Sequence, residues 1–167
     1  LEKSYKPLTE IVSDVVNVCG DIPVFAAGGI FDADDIKKVL ECGAYGVQMG
    51  TRFIACEECD ASQGFKDKIV KAKAEDLKII QSPVGLPGRA LKSALHEQVE
   101  KEGRKAPSRC INCISTCDTK TTPYCISAAL IAGFNGDEEN GLFFSGENCG
   151  RIDKIVKVRD LMDELSK

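Results

Sequence analysis

Two spacings of apolar residues alternate along the first third of the chain. Residues 8–18 carry apolar side chains at every third or fourth position, which predicts a helix, and a second stripe with this spacing begins after residue 32. The apolar run at residues 22–27 predicts a strand buried on both faces, and residues 44–49 predict a second strand. Strands joined by helices pair in parallel through right-handed crossovers, so this α-β-α-β order predicts an α/β fold.

Polar residues and glycines mark the ends of the second helix. Asp32 is a typical N-cap, and Asp35 follows three residues later as a capping-box partner. Gly43 is a typical helix stop. The apolar stripe between these signals consists of Ile36, Val39 and Leu40.

The rest of the chain is less regular, and no linker divides it. We predict helices at about residues 61–74, 91–102, 128–134 and 158–165, an extended segment at 77–83 and a cysteine-rich loop at 108–125. We therefore expect one compact body in which residues 1–90 hold the regular β/α units. Residues 91–167 would form a helical, cysteine-rich addition packed on them.

Composition narrows the classes of function. The chain has 167 residues, of which 43% are hydrophobic and 29% charged, which is typical of a globular protein with a hydrophobic core. A net charge of −4 argues against nucleic acid as the main partner, and no apolar run reaches the ~20 residues of a membrane-spanning helix. The N-terminus lacks the apolar core of a signal peptide and does not begin with Met, so we expect a processed chain or a piece of a longer one. Without a secretion signal, the nine cysteines are expected to be reduced in the cytoplasm unless some hold a metal.

Glycines follow both predicted strands. Gly28 and Gly29 come after the first strand, and Gly50 and Thr51 come after the second. Glycine lets the backbone approach an anion closely, and the ends of two parallel strands meet at one edge of a sheet, so the pattern predicts a phosphate site. The alternative is that the glycines only make tight turns. No G-x-G-x-x-G or G-K-[ST] motif is present, which favours a mononucleotide over a dinucleotide or a nucleoside triphosphate.

The segments "IPVFAAGGI" and "GAYGVQMGTRF" resemble the FMN phosphate region of the nitronate monooxygenase family, formerly called 2-nitropropane dioxygenases. The likeness continues through "SPVGLPGRALKSAL", "PYCISAAL" and "GLFFSGENCGRI", and flavin-dependent enoyl-acyl-carrier-protein reductases are close relatives. The resemblance implies a TIM (β/α)8 barrel with FMN at its C-terminal face. Residues 1–90 would then be the last β/α units of that barrel. The residues that this resemblance implies at the cofactor are Ala27, Gly28, Gly29, Gln48, Gly50, Thr51, Ser145 and Gly146.

The resemblance also implies a catalytic residue that this sequence lacks. The family's proposed catalytic base is a histidine in a "GGH" turn upstream of the first helix, and no such motif occurs here. The one histidine, His96, lies on a charged helix, where a surface or packing role is expected. We therefore predict that the chain is the C-terminal half of such an enzyme, that it is inactive alone and that it pairs with the missing half of the barrel or with a second copy.

The segment "CINCISTCDTKTTPYC" contains Cys110, Cys113, Cys117 and Cys125. Four thiolates at this spacing predict either an iron–sulfur cluster or zinc, and the alternative is four reduced thiols. A second C-x2-C pair, Cys56 and Cys59, stands among acidic residues, which opposes a reactive thiolate.

Three functions follow from the sequence. The first is an FMN-dependent oxidoreductase that oxidises nitronates or nitroalkanes with O₂. The second is an FMN-dependent enoyl-acyl-carrier-protein reductase, since this half of the barrel is similar in both. The third is a non-catalytic module that binds phosphate or a metal. Arg52, next to the second turn, could contact the phosphate or form a salt bridge to a helix.

Overall fold

The structure is a computed structural model that describes residues 6–167. The N-terminal prediction about a signal peptide falls largely on residues 1–5, outside the described residues. The helices are α1 (Leu8–Cys19), α2 (Ala33–Glu41), α3 (Thr51–Ile54), α4 (Gln63–Lys71), α5 (Ala94–Glu102), α6 (Ile126–Phe134) and α7 (Val158–Leu165). The strands are β1 (Phe25–Ala27), β2 (Gly46–Gln48), β3 (Leu77–Gln81), β4 (Pro87–Leu91) and β5 (Phe143–Phe144).

β1 and β2 pair in parallel, as their helical connection predicted. Ala26 lies opposite Val47, and Ala27 lies opposite Gln48. The prediction that β1 is buried on both faces is wrong, because only Ala26 is buried and Phe25 is 60% exposed. The Phe25 ring contacts the exposed Tyr45 edge to face, so one face of the strand pair is open to solvent.

The ends of α2 match the signals in the sequence. The Asp32 side chain accepts a hydrogen bond from the Asp35 N–H, and the Asp35 carboxylate accepts one from the Phe31 N–H. Such an N-cap contributes about 1 kcal/mol. Gly43 has φ +95°, a conformation that favours glycine, and turns the chain from α2 toward β2. This unit packs on a small core of Val12, Ala26, Ile30, Val39 and Ala44.

A three-stranded antiparallel sheet forms the second part of the fold, and the sequence did not predict it. β3 pairs with β4, and β4 pairs with β5. In the second pair, Leu91 of β4 lies opposite Phe143 of β5. The predicted helix over residues 91–102 therefore begins only at Ala94, because Leu91 belongs to a strand. The predicted division between residues 90 and 91 falls inside β4, and the division itself stays a prediction.

The core beneath this sheet holds the most deeply buried side chains. Ile69 of α4, Leu91 of β4 and Phe143 of β5 are each at most 2% exposed and belong to one cluster. α6 packs beside it so closely that a Cβ at Gly133 would collide with the carbonyl oxygen of Leu142. Within residues 6–167, no helix is long and apolar enough to cross a membrane.

We expect Gly133→Ala to destabilise the fold, although alanine is normally the better helix former by about 1 kcal/mol. The added methyl group meets backbone that cannot rotate away, so the free energy of unfolding should fall by about 1–3 kcal/mol in urea titrations. Ala128→Gly, at an exposed position of α6, measures the difference in helix propensity between alanine and glycine without the steric contact. A Gly133→Ala variant as stable as the wild type would contradict this packing.

Candidate functional site

The two glycine turns lie side by side at one edge of the β1–β2 pair. Gly28 and Gly29 follow β1 with φ of +90° and +71°, and Gly50 and Thr51 follow β2. The loop over residues 145–149, which we call the SGENC loop, lies over them, and its residues 146–149 line a cavity of about 140 Å³ together with the two turns. The parallel register brings the two turns together, as the sequence predicted.

Two hydrogen bonds hold the SGENC loop over the turns. The Gly146 N–H donates to Thr51 Oγ1 at 2.8 Å, and Asn148 Nδ2 donates to the Gly29 carbonyl oxygen at 2.7 Å. Thr51 accepts in the first bond, so its hydroxyl hydrogen can still point to a ligand. Sequence reasoning missed Asn148, whose partner lies 119 residues away.

Glu147 brings a negative charge to the same cavity. A Cβ at Gly29 would lie 2.7 Å from Glu147 Oε1, so the carboxylate lies directly against the first turn. Glu147 Oε2 is 3.4 Å from Arg89 Nη2 of β4, an ion pair that offsets this charge. Sequence reasoning missed Glu147, which no local motif singles out.

The other residues that were predicted to bind the cofactor differ in their position relative to the cavity. Gln48 lines the cavity, whereas Ala27 lies opposite Gln48 at the end of β1 and is not part of the cavity wall. The Ser145 backbone N–H donates to the Arg89 carbonyl, and its buried side chain interacts with the Cys149 thiol. Cys149 lines the cavity, and burial raises the pKa of its thiol.

Arg52 lines the cavity but is engaged elsewhere. Its guanidinium forms two hydrogen bonds with the Glu164 carboxylate of α7, at 2.7 and 3.0 Å, and one with the Phe31 carbonyl at 2.9 Å. It also stacks on the Phe31 ring at 4.4 Å from the centroid. Of the two roles that the sequence left open, the structure shows the salt bridge to a helix.

The remaining reactive residues lie outside this cavity. His96 is 5% exposed, contacts Ser93 Oγ through Nδ1 at 3.2 Å, and has its pKa lowered by burial, so it is a packing residue of α5. Burial also raises the pKa of the Cys56 thiol, which opposes a reactive thiolate there. Among residues 6–167, no three His, Cys, Asp or Glu side chains group closely enough to hold a metal ion, so the predicted zinc site is not present in this structure.

One known protein family matches almost the whole chain. The family model for nitronate monooxygenase matches residues 2–167. The chain belongs to the nitronate monooxygenase family. Family members are FMN-dependent oxidoreductases, as the resemblance implied.

Individual relatives are distant. A probable nitronate monooxygenase of Bacillus subtilis is 26% identical over 86% of this chain and 39% of its own length. A carboxyl-CoA dehydrogenase of Rhodococcus jostii, named for a hydroxy-methyl-oxo-octahydroindene substrate, is 26% identical over 86% of this chain and 48% of its own length. The chain therefore spans less than half of these family relatives.

Solved structures share the fold. FabK from Thermotoga maritima superposes with a TM-score of 0.75 and 28% identity over 98% of this chain and 49% of that protein. Nitroalkane oxidase from Streptomyces ansochromogenes superposes with a TM-score of 0.68 and 22% sequence identity, over 95% of this chain and 42% of that protein. The second is a likeness of fold alone. These comparisons support the α/β class.

We expect the Arg52–Glu164 ion pair to make stability depend on pH. Arg52 lowers the pKa of Glu164 below its ordinary value of 4.5, so the pair stabilises the fold above that value and loses its effect as the pH falls through the lowered pKa. Glu164 is half exposed, so the contribution is at most about 1 kcal/mol.

The measurement is chemical unfolding of the wild type and Glu164→Gln between neutral and acidic pH. The wild type should have the larger free energy of unfolding at neutral pH, and the difference between the two proteins should disappear on acidification. Glu138→Gln, at an exposed carboxylate, is the control. A gap that does not change with pH would contradict the ion-pair account.

Proposed function

We propose that this chain binds the phosphate end of FMN between the two glycine turns, as part of an oxidoreductase that oxidises nitronates or nitroalkanes with O₂. The observation that supports it best is the convergence of both turns and the SGENC loop on one cavity. Membership of the nitronate monooxygenase family supports the same cofactor and reaction.

The cavity suits a phosphate group and one end of a larger ligand. Its volume of about 140 Å³ is below the roughly 300–1,000 Å³ of pockets that enclose a whole drug-sized molecule. Gly28 and Gly29 present no side chain to the ligand, and the Thr51 hydroxyl is placed to donate a hydrogen bond. FMN, when bound, supplies the redox chemistry, and these residues bind and orient it.

The charge beside the cavity sets the strength of binding. The Glu147 carboxylate would repel a phosphate dianion, and the Arg89 guanidinium offsets that repulsion while the ion pair persists. We propose that phosphate binding draws Arg89 further toward the ligand or turns Glu147 away from Gly29.

No catalytic base is assigned to the described residues, because His96 is buried against Tyr124. We propose that β1 and β2 are neighbouring strands of a (β/α)8 barrel and that other strands of that barrel supply the base and the substrate contacts. The exposed apolar side chains of Ile22, Phe25 and Tyr45 are candidates for the surface on which those strands, or a second copy, would pack.

Enoyl reduction is the second candidate. It is favoured by the likeness to FabK, which is 28% identical to this chain. Anaerobic mixing of the FMN-loaded enzyme that contains this chain with an alkyl nitronate, and separately with NADH or NADPH, distinguishes the two. Our proposal expects the nitronate to bleach the flavin absorbance. Bleaching by reduced nicotinamide alone would favour enoyl reduction.

Gly29→Val should weaken FMN binding by about 10- to 100-fold, since a branched side chain is strained at φ +71° and would hold the phosphate away from charge-assisted hydrogen bonds worth roughly 1.5–3 kcal/mol. Gly85→Val is a matched control, because Gly85 also has positive φ, with open space around it, at the β3–β4 turn. Flavin fluorescence titration measures both variants, and circular dichroism confirms that each folds.

Riboflavin, which lacks the phosphate, separates phosphate binding from ring binding. The wild type should prefer FMN to riboflavin, and Gly29→Val should abolish that preference while the control retains it. Unchanged FMN affinity in Gly29→Val would refute a phosphate site at this turn.

A further inference from the structure

A second cavity, of about 280 Å³, lies outside the proposed FMN site and has four cysteines in its wall. Cys110, Cys113, Cys117 and Cys125 all line it. None of the four is in a disulfide. The β3–β4 turn closes one side through Pro83, Val84 and Gly85.

The four thiols surround the cavity without meeting at one point. A single zinc ion binds its sulfur ligands at about 2.3 Å, which requires the sulfur atoms to crowd around one centre. No group of three or more potential ligands in residues 6–167 meets that requirement. A cluster of several metal atoms has a different requirement, because each thiolate binds a separate iron atom at a corner of the cluster.

We propose that this cavity binds a [4Fe–4S] cluster through Cys110, Cys113, Cys117 and Cys125. The C-x2-C-x3-C spacing places three thiols in one short loop, and Cys125 approaches from the start of α6. Three close cysteines and one more distant are typical of cubane clusters, although the spacing differs from the ferredoxin C-x2-C-x2-C. Each thiol loses its proton on binding, and each thiolate occupies one iron.

The surroundings of the sulfur atoms favour such a cluster. The Asn112 N–H donates to Cys110 Sγ at 3.3 Å, and Asn112 adopts the left-handed conformation, φ +53°, that this turn requires. Hydrogen bonds from backbone N–H groups to ligand sulfur are among the contacts that tune iron–sulfur clusters. Cys113 Sγ lies 3.1 Å from Ser127 Oγ, a second polar contact. The rest of the wall includes the half-buried side chains of Ile114 and Ile126, which would cover part of a cluster, while the exposed Ile111 leaves another part open to water.

The test is anaerobic reconstitution of the full chain with ferrous iron and sulfide, followed by removal of excess reagent. We expect about four iron and four sulfide per chain, a broad sulfide-to-iron charge-transfer absorption, and an electron paramagnetic resonance signal after reduction with dithionite. Cys113→Ser and Cys117→Ser should lose most of the iron. Cys19→Ser and Cys42→Ser, at half-buried cysteines outside the cavity wall, should keep it.

FMN binding, measured on the same samples, reports on folding and on the other site. Loss of iron with FMN affinity unchanged assigns the cysteines to a cluster and separates this inference from the proposed function. Three results would overturn it: stoichiometric zinc bound in place of iron and sulfide, iron retained equally by all four variants, or no metal with all four thiols open to a thiol reagent.

Discussion

The parallel pairing of β1 with β2 is the constraint on which the candidate site depends. A register that sets Ala27 opposite Gln48 brings the two chain turns that follow to the same edge of the sheet. Antiparallel pairing would have sent the turns to opposite ends, and no single anion could then contact both. The crossover helix α2 enforces the parallel direction, and its Asp32–Asp35 cap fixes where the helix begins relative to the first turn.

The second constraint comes from far along the chain. β5 pairs with β4 and delivers the SGENC loop to the turns, where Asn148 binds the Gly29 carbonyl and Gly146 binds Thr51. The same sheet carries Arg89 to Glu147, so the ion pair that offsets the carboxylate depends on the pairing that positions the loop. The site is thus a joint product of a parallel unit and an antiparallel unit, and a change in either sheet alters its charge.

The two cavities differ in how the chain builds them. The cavity at the two glycine turns is lined by three segments that are distant in sequence, so it exists only in the folded chain. In the second cavity, all four cysteines come from one short segment of the chain. Tertiary structure adds the proline, valine and isoleucine side chains of the wall. A cluster there would order a loop that has no regular secondary structure of its own, since coordination bonds would replace missing backbone hydrogen bonds.

The sequence by itself determined what depends on nearby residues. Helix α7, the cap of α2, the glycine turns and the parallel direction of β1 and β2 follow from apolar spacing, capping side chains and connection length, which act within a few residues. Tertiary structure decided the antiparallel sheet, the exposure of Phe25, the Arg52–Glu164 pair and the approach of Glu147 and Asn148. These contacts join segments as far as 119 residues apart, and they are selected by packing and charge complementarity between elements, which no local pattern encodes.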